Sequence, residues 1–210
     1  MCAARRKNSR RWMAEHLGDA HVKRARAEGY RSRAVYKLME LDARDRLLEP
    51  GLTVLELGAA PGGWTQYLSE KLGDKGCIVA SDILPMDALA DVSFIQGDFT
   101  EQSTADAIHA AMPGRADLVL SDMAPNISGV AASDQARAMA LVELATEAAL
   151  EYLKPDGMFV VKVFQGEGFD DWMRGLRQTF VTVKVRKPDA SRARSREVYV
   201  VAARPRNAGE

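Results

Sequence analysis

From Thr53 onward the chain alternates short aliphatic or β-branched runs with segments whose apolar residues recur every three or four positions. That change of period predicts strands joined by helices, the pattern of a parallel sheet covered on both faces. Strands are expected at Thr53–Leu57, Cys77–Ser81, Val92–Gln96, Leu118–Ser121, Met158–Val163, Val181–Arg186 and Val198–Ala202. Helices are expected at Gly63–Leu72, Thr104–Met112, Ser133–Leu153 and Phe169–Thr179, with Gly73, Gly114 and Pro155-Asp156-Gly157 as stops. Upstream, Ser32 can cap a helix reaching Leu47, which turns Val35, Leu38 and Leu41 toward the body and carries Lys37 one turn in. Lys187–Ser195 is too short and polar for a crossover helix, so the last two strands should form an antiparallel hairpin closing an otherwise parallel, seven-stranded α/β sheet.

At 210 residues and 47% hydrophobic, the chain can bury one substantial core. We expect a basic arm over residues 1–28 and a single domain over 29–210. No apolar run approaches the roughly 18 residues of a spanning helix, and the arm's Arg5, Arg6, Lys7, Arg10 and Arg11 are not followed by an apolar signal core. The expectation is a cytoplasmic protein with no membrane partner. Cys2 and Cys77 give neither a disulfide framework nor a zinc spacing, so no metal is expected.

Equal totals of 29 basic and 29 acidic residues hide an uneven distribution. Residues 1–37 carry a net +8 and residues 184–210 a net +5, which leaves −13 for the middle. Basic ends on an acidic body suit a polyanion such as RNA or DNA, against the alternative that they are only solvated tails.

The acidic body gathers its charge around one turn. Leu55-Glu56-Leu57-Gly58-Ala59-Ala60-Pro61-Gly62-Gly63-Trp64 runs from the first strand into the first helix, at the carboxyl edge where open α/β sheets bind ligands. A dinucleotide fingerprint is not present: Ala60 replaces the middle glycine, and Pro61 has no amide for a pyrophosphate. A nicotinamide-dependent oxidoreductase is disfavoured accordingly. Glu56, Asp82, Asp98 and Asp122 follow or end successive strands, and four carboxylates repel a pyrophosphate. They suit a cationic ligand that offers a ribose diol and amines, a description S-adenosylmethionine meets.

A lysine and a glutamate are out of place. Lys162 interrupts the apolar strand Met158-Phe159-Val160-Val161-Lys162-Val163-Phe164, and Glu197 directly precedes the apolar Val198-Tyr199-Val200-Val201. With Lys37 and Asp122 they make two bases and two acids, each of which taken singly could be an ordinary surface ion pair. A lysine that serves as general base has to be neutral, a state that burial and a neighbouring cation favour in general. His16, His21 and His109 lie away from this set, in the arm and in a helix.

These segments resemble the FtsJ-type RNA 2′-O-ribose methyltransferases. The resemblance runs from Gly29-Tyr30-Arg31-Ser32-Arg33-Ala34-Val35-Tyr36-Lys37-Leu38 through the glycine-rich turn, Ser121-Asp122-Met123-Ala124-Pro125-Asn126 and Val161-Lys162-Val163-Phe164-Gln165-Gly166 to Lys187-Pro188 and Ser191–Tyr199. It departs at Glu56, where many members carry Asp. It implies a Rossmann-like methyltransferase fold and a catalytic set of Lys37, Asp122, Lys162 and Glu197. It places cofactor contacts on Gly62, Trp64, Asp82, Asp98 and Asp122. The implied substrate is a uridine ribose of 23S ribosomal RNA within the large (50S) subunit, methylated by a monomer with Lys162 as base. Arg186, Lys187, Arg192, Arg194 and Arg196 are expected to hold RNA phosphates. Methylation of a transfer RNA or cap, or a non-catalytic ribosome assembly role, are the alternatives.

Overall fold

A computed structural model describes residues 19–192 and 194–206. Cys2, Arg5, Arg6, Lys7, Arg10, Arg11 and His16 lie outside them. In chain order the elements are α1 (Ala20–Ala27), α2 (Val35–Asp45), β1 (Thr53–Leu57), α3 (Gly63–Leu72), β2 (Cys77–Asp82), β3 (Val92–Gln96), α4 (Gln102–Ala111), β4 (Ala116–Ser121), α5 (Ala131–Tyr152), β5 (Leu153–Phe164), α6 (Phe169–Thr179), β6 (Phe180–Arg186) and β7 (Glu197–Pro205). The seven strands form one sheet in the order β3-β2-β1-β4-β5-β7-β6. β3 through β5 are parallel neighbours, and β7 runs antiparallel to both β5 and β6. The expected hairpin is therefore present, with its second strand inserted beside β5.

Buried apolar side chains pack on both faces of the sheet. On one, Leu55, Val119, Phe159 and Val161 meet Met139, Val142 and Ala149 of α5 and Met173 and Leu176 of α6. On the other, Leu118, Leu120, Val160 and Tyr199 meet Val35 and Leu38 of α2 and Trp64 and Leu68 of α3. Each large apolar side chain withdrawn from water in this way stabilises the fold by roughly 1.5–3 kcal/mol before entropy is counted.

Ser32, expected to cap α2, accepts the Ala34 N–H at 3.1 Å ahead of the helix, whose N-cap is Ala34 without a side-chain bond; beyond shifts of a few residues at element ends, two further elements differ from the expectation. Residues 20–27 form α1, started by Asp19, whose carboxylate accepts the His21 N–H at 3.0 Å; Val22 and Ala25 are buried. Its Ala-His-Val-Lys-Arg-Ala-Arg-Ala sequence is so polar that only those two apolar positions mark its inner face. β5 begins at Leu153, five residues before the expected Met158, because Leu153 pairs with Ala116 before the chain loops out and rejoins at Met158 opposite Leu118. Pro155-Asp156-Gly157 is thus an interruption inside a strand rather than a helix stop, fastened by Lys154 to Asp117 at 2.6 Å.

Register positions the ligand-facing edge. Leu57 of β1 lies level with Ser81 of β2 on one side and Ser121 of β4 on the other. Gly58, Asp82 and Asp122 consequently leave the sheet together, at the point where the strand order reverses and α/β sheets open a crevice.

Candidate active site

The glycine-rich turn is built tight against its neighbours. Gly58 has φ +80°, and a Cβ there would stand 2.8 Å from Met123 Cγ and 2.9 Å from the Met123 nitrogen. Only glycine lets β1 end so close to the segment that follows Asp122. The turn is held by Gly58 and Ala59 N–H groups donating to the Ser81 carbonyl at 2.8 and 3.2 Å, and the Asp122 N–H donates to the Leu57 carbonyl at 3.1 Å.

The acids divide into two kinds. Asp82 accepts the Ala60 N–H at 2.9 Å and the Leu84 N–H at 2.8 Å, so its carboxylate braces both the turn and the segment beyond β2. Asp98 is exposed and accepts the Thr100 N–H and hydroxyl at 2.9 and 2.7 Å, bonds that hold its carboxyl below the usual range. Glu56 belongs elsewhere. It is 1% exposed and points under the turn, where the Thr65 hydroxyl donates to it at 2.7 Å. Burial pushes its carboxyl up to about 8, with Thr65 opposing that shift and the nearby Asp122 and Asp82 adding to it. The picture of four rim carboxylates is corrected to three, with Glu56 as a buried acid beneath them. Period-two alternation could not separate these cases, since a parallel strand is buried on both faces.

The other expected cofactor contacts are placed as follows. Gly62 adopts φ +101° and is buried under Arg31 and Met86, each 2.8 Å from where a Cβ would stand. Arg31 in turn donates to the Asp87 and Ala88 carbonyls at 2.7 and 3.1 Å, tying the segment after β2 to the start of α3. Trp64 is buried; its indole N–H donates to the Ala34 carbonyl at 2.7 Å and its ring packs on Tyr199 at 5.7 Å. The Trp64 side chain is therefore part of the core, and its backbone is what stands at the helix start, where amides lack intrahelical partners.

Lys37, Asp122, Lys162 and Glu197 come from α2, the end of β4, β5 and the start of β7, and the fold pairs them. Lys162 is 7% exposed; its Nζ lies 3.2 Å from Asp122 Oδ1 and donates a short hydrogen bond to the Asp122 carbonyl. Lys37 Nζ lies 2.7 Å from Glu197 Oε1. Tyr199 joins the two pairs. It faces Lys162 across the β5–β7 ladder, donates its hydroxyl to Asp122 Oδ1 at 2.6 Å, and lies with its ring centroid 5.7 Å from Lys37 Nζ. Burial and the neighbouring carboxylates hold its phenol far above the ordinary range, so it remains a donor. In the sequence Tyr199 sits unmarked in an apolar run, and only the structure, by placing its hydroxyl on Asp122, shows its part. Ser191 was missed too, and its hydroxyl donates to Glu197 Oε1 at 2.8 Å.

The loop carrying Ser191 is shaped from α2. Glu40, one turn after Lys37, accepts the Asp189 and Ala190 N–H groups at 2.5 and 2.9 Å, and Arg33 donates to the Ala190 carbonyl. Lys187 Nζ donates to the Ser195 and Glu197 carbonyls at 2.7 and 2.5 Å, and Arg186 grips Asp45 with two 2.7 Å bonds. The expectation that Arg186 holds phosphate is revised, because its guanidinium is paired with Asp45; Lys187 is exposed.

S-adenosylmethionine fits the donor set. Carboxylates at Asp82, Asp98 and Asp122 offer acceptors to a ribose diol, an ammonium and a sulfonium. Exposed Ile83 and Leu84, directly after Asp82, offer an apolar flank to a purine. The Ser81 hydroxyl, buried under the turn without a partner among the described residues, adds an unused polar group there.

A doubly wound sheet with an acidic switch-point crevice and a lysine at its edge defines a methyltransferase that uses S-adenosylmethionine. The chain belongs to the FtsJ-like methyltransferase family, whose model matches residues 30–205. It is 60% identical over 197 residues to the ribosomal RNA large subunit methyltransferase E of Chromohalobacter salexigens, covering 93% of this chain and 94% of that protein. It is 59% identical over 200 residues to the protein of the same name from Marinobacter nauticus, covering 95% and 97%. Among solved structures, a ribosomal RNA methyltransferase from Plasmodium falciparum superposes with a TM-score of 0.76 at 28% identity, covering 84% of this chain and 98% of that one. A methyltransferase from Streptococcus mutans in complex with SAH shares the fold, with a TM-score of 0.52 at 15% identity over 79% of this chain and 95% of that one.

Proposed function

We propose that the protein methylates the 2′-hydroxyl of a uridine ribose in 23S ribosomal RNA, acting in the cytoplasm as a monomer on the large (50S) subunit. Lys37, Asp122, Lys162 and Glu197 are its catalytic residues. Gly62, Trp64, Asp82, Asp98 and Asp122 hold the cofactor, Trp64 through its backbone. The observation that carries this reading is the meeting of the buried Lys162 with Asp122 at the edge of an acidic crevice.

Bound S-adenosylmethionine supplies an electrophilic methyl carbon on a positively charged sulfur. The ribose hydroxyl is a weak acid, so a residue must take its proton as the oxygen–carbon bond forms. Lys162, in its neutral form, accepts that proton at Nζ. Asp122 fixes Lys162 through carboxylate and carbonyl together, and Tyr199 fixes Asp122. Lys37 steadies negative charge that develops on the ribose oxygen. Glu197 sets the position of Lys37, and Ser191 that of Glu197. The basic residues within 1–28, together with Arg192, Arg194 and Arg196, supply cations for RNA phosphate.

The test is transfer of labelled methyl from S-adenosylmethionine to ribosomal particles from cells that lack this gene, followed by digestion to nucleosides. Label is expected in 2′-O-methyluridine. Label on a base, in another RNA, or in no RNA would contradict the proposal.

A further inference from the structure

Between β4 and α5 the chain runs from Asp122 in a loop, Met123-Ala124-Pro125-Asn126-Ile127-Ser128-Gly129-Val130, that carries no charge. It leaves directly from Asp122 and returns at a helix whose first turn holds two loops at once. Asp134 accepts the Ser128 N–H and hydroxyl at 2.8 and 2.7 Å and the Gly129 N–H at 3.0 Å. Those bonds hold its carboxyl down at about 2. The next residue, Gln135, is buried and donates to the Phe164 and Glu167 carbonyls, both at 3.1 Å, in the segment that follows Lys162. The lip is therefore anchored to the loops behind both members of the Lys162–Asp122 pair. On that fastened loop Ile127 is 83% exposed and Val130 61% exposed.

A single exposed apolar residue needs no explanation by itself. Here the side chain is held out by a loop that one carboxylate fixes through three bonds, within about 18 Å of chain from Asp122. A ribose hydroxyl delivered to Lys162 brings its neighbouring nucleotides past this rim. The loop carries no cation to draw phosphate, and its most exposed side chain, Ile127, is apolar; the part of RNA that an apolar side chain meets is the face of a base.

We propose that the loop 123–130 is a base-contacting lip, in which Ile127 packs against an unpaired nucleobase next to the target ribose and Asp134 positions the lip. This rests on the proposed RNA substrate and adds how that RNA is engaged. An apolar contact of this kind releases no counterions, so it differs from a phosphate contact in its response to salt.

The experiment measures affinity for protein-free large-subunit ribosomal RNA and for unmethylated particles across a salt series, with S-adenosylmethionine affinity in parallel. Ile127→Ala is expected to weaken binding to both RNA forms by roughly five- to tenfold, with the slope against salt and the cofactor affinity unchanged. Asp134→Ala should show the same RNA-specific loss, and Asp134→Asn part of it. Unchanged RNA affinity in Ile127→Ala, a shallower salt slope, or a loss confined to particles, which would indicate a protein contact, overturns the lip. Failure of the unaltered protein to bind either RNA would overturn the proposed function itself, so the two outcomes are separable.

Discussion

Glu56 shows how a single side chain's environment decides its part. Its position before the glycine-rich turn marks it as an acid of the crevice, yet the fold turns it inward onto Thr65. With its carboxyl raised to about 8 by burial, it is neutral in the folded protein across a range where the unfolded chain has it ionised. The unfolded state then binds fewer protons, so stability falls as pH rises from the ordinary glutamate range toward about 8, by roughly 1.4 kcal/mol per pH unit at most. Glu56→Gln keeps the shape and the Thr65 contact while removing the ionisation. It should melt higher than the parent at pH 8, with little difference at pH 4; an equal melting temperature at both would show that Glu56 is charged in place. Lys162 was legible for the opposite reason, since a lysine within an apolar strand is an anomaly any hydropathy pattern exposes. Tyr199 carried no such mark, because a tyrosine is at home in a strand and only its partner reveals its task.

At the level of elements, strands bounded by turn residues were read to the residue at β1 and β3, and so were α3 and α6. α1 escaped because two buried positions among charged ones make no readable stripe. β5 was shortened in the reading because proline and glycine signal a stop, whereas the structure loops them out between two paired stretches. The ends of β6 and α2 show tertiary contact deciding a residue's use. Arg186 looked free for RNA, but Asp45 at the end of α2 has a side chain only 3% exposed and takes both of its bonds. Those bonds hold the Asp45 carboxyl below its ordinary range, so the pair stabilises the fold above that range and the contribution is lost as pH falls through the lowered value. Arg186→Ala leaves a buried carboxylate with only Lys184, at 3.5 Å, for company. It should cost about 3 kcal/mol at neutral pH by denaturant melt, and markedly less in acid. A neutral-pH loss under about 0.5 kcal/mol would place Arg186 back among the surface cations.

Over the whole molecule, basic ends and an acidic body resolve into a division of labour. Asp82, Asp98 and Asp122 stand at the crevice where β1 and β4 part, while Lys37 meets Glu197 at the start of β7. Arg33 and Arg192 meet there around Asp19. Charge counting revealed that asymmetry but not which cations are already paired, as Arg186 is with Asp45. No helix among the described residues is long and apolar enough to cross a membrane. The sheet order brings four residues, separated by up to 160 positions between Lys37 and Glu197, to one edge. Their joint action on a ribose hydroxyl is the claim on which the account stands. The most direct measurement is single-turnover methyl transfer to unmethylated large-subunit particles by the parent and by Lys162→Ala, with S-adenosylmethionine binding followed by calorimetry. A fall in rate of at least about 100-fold with cofactor affinity nearly unchanged is expected; a rate within a few-fold of the parent would contradict the role of Lys162 as base.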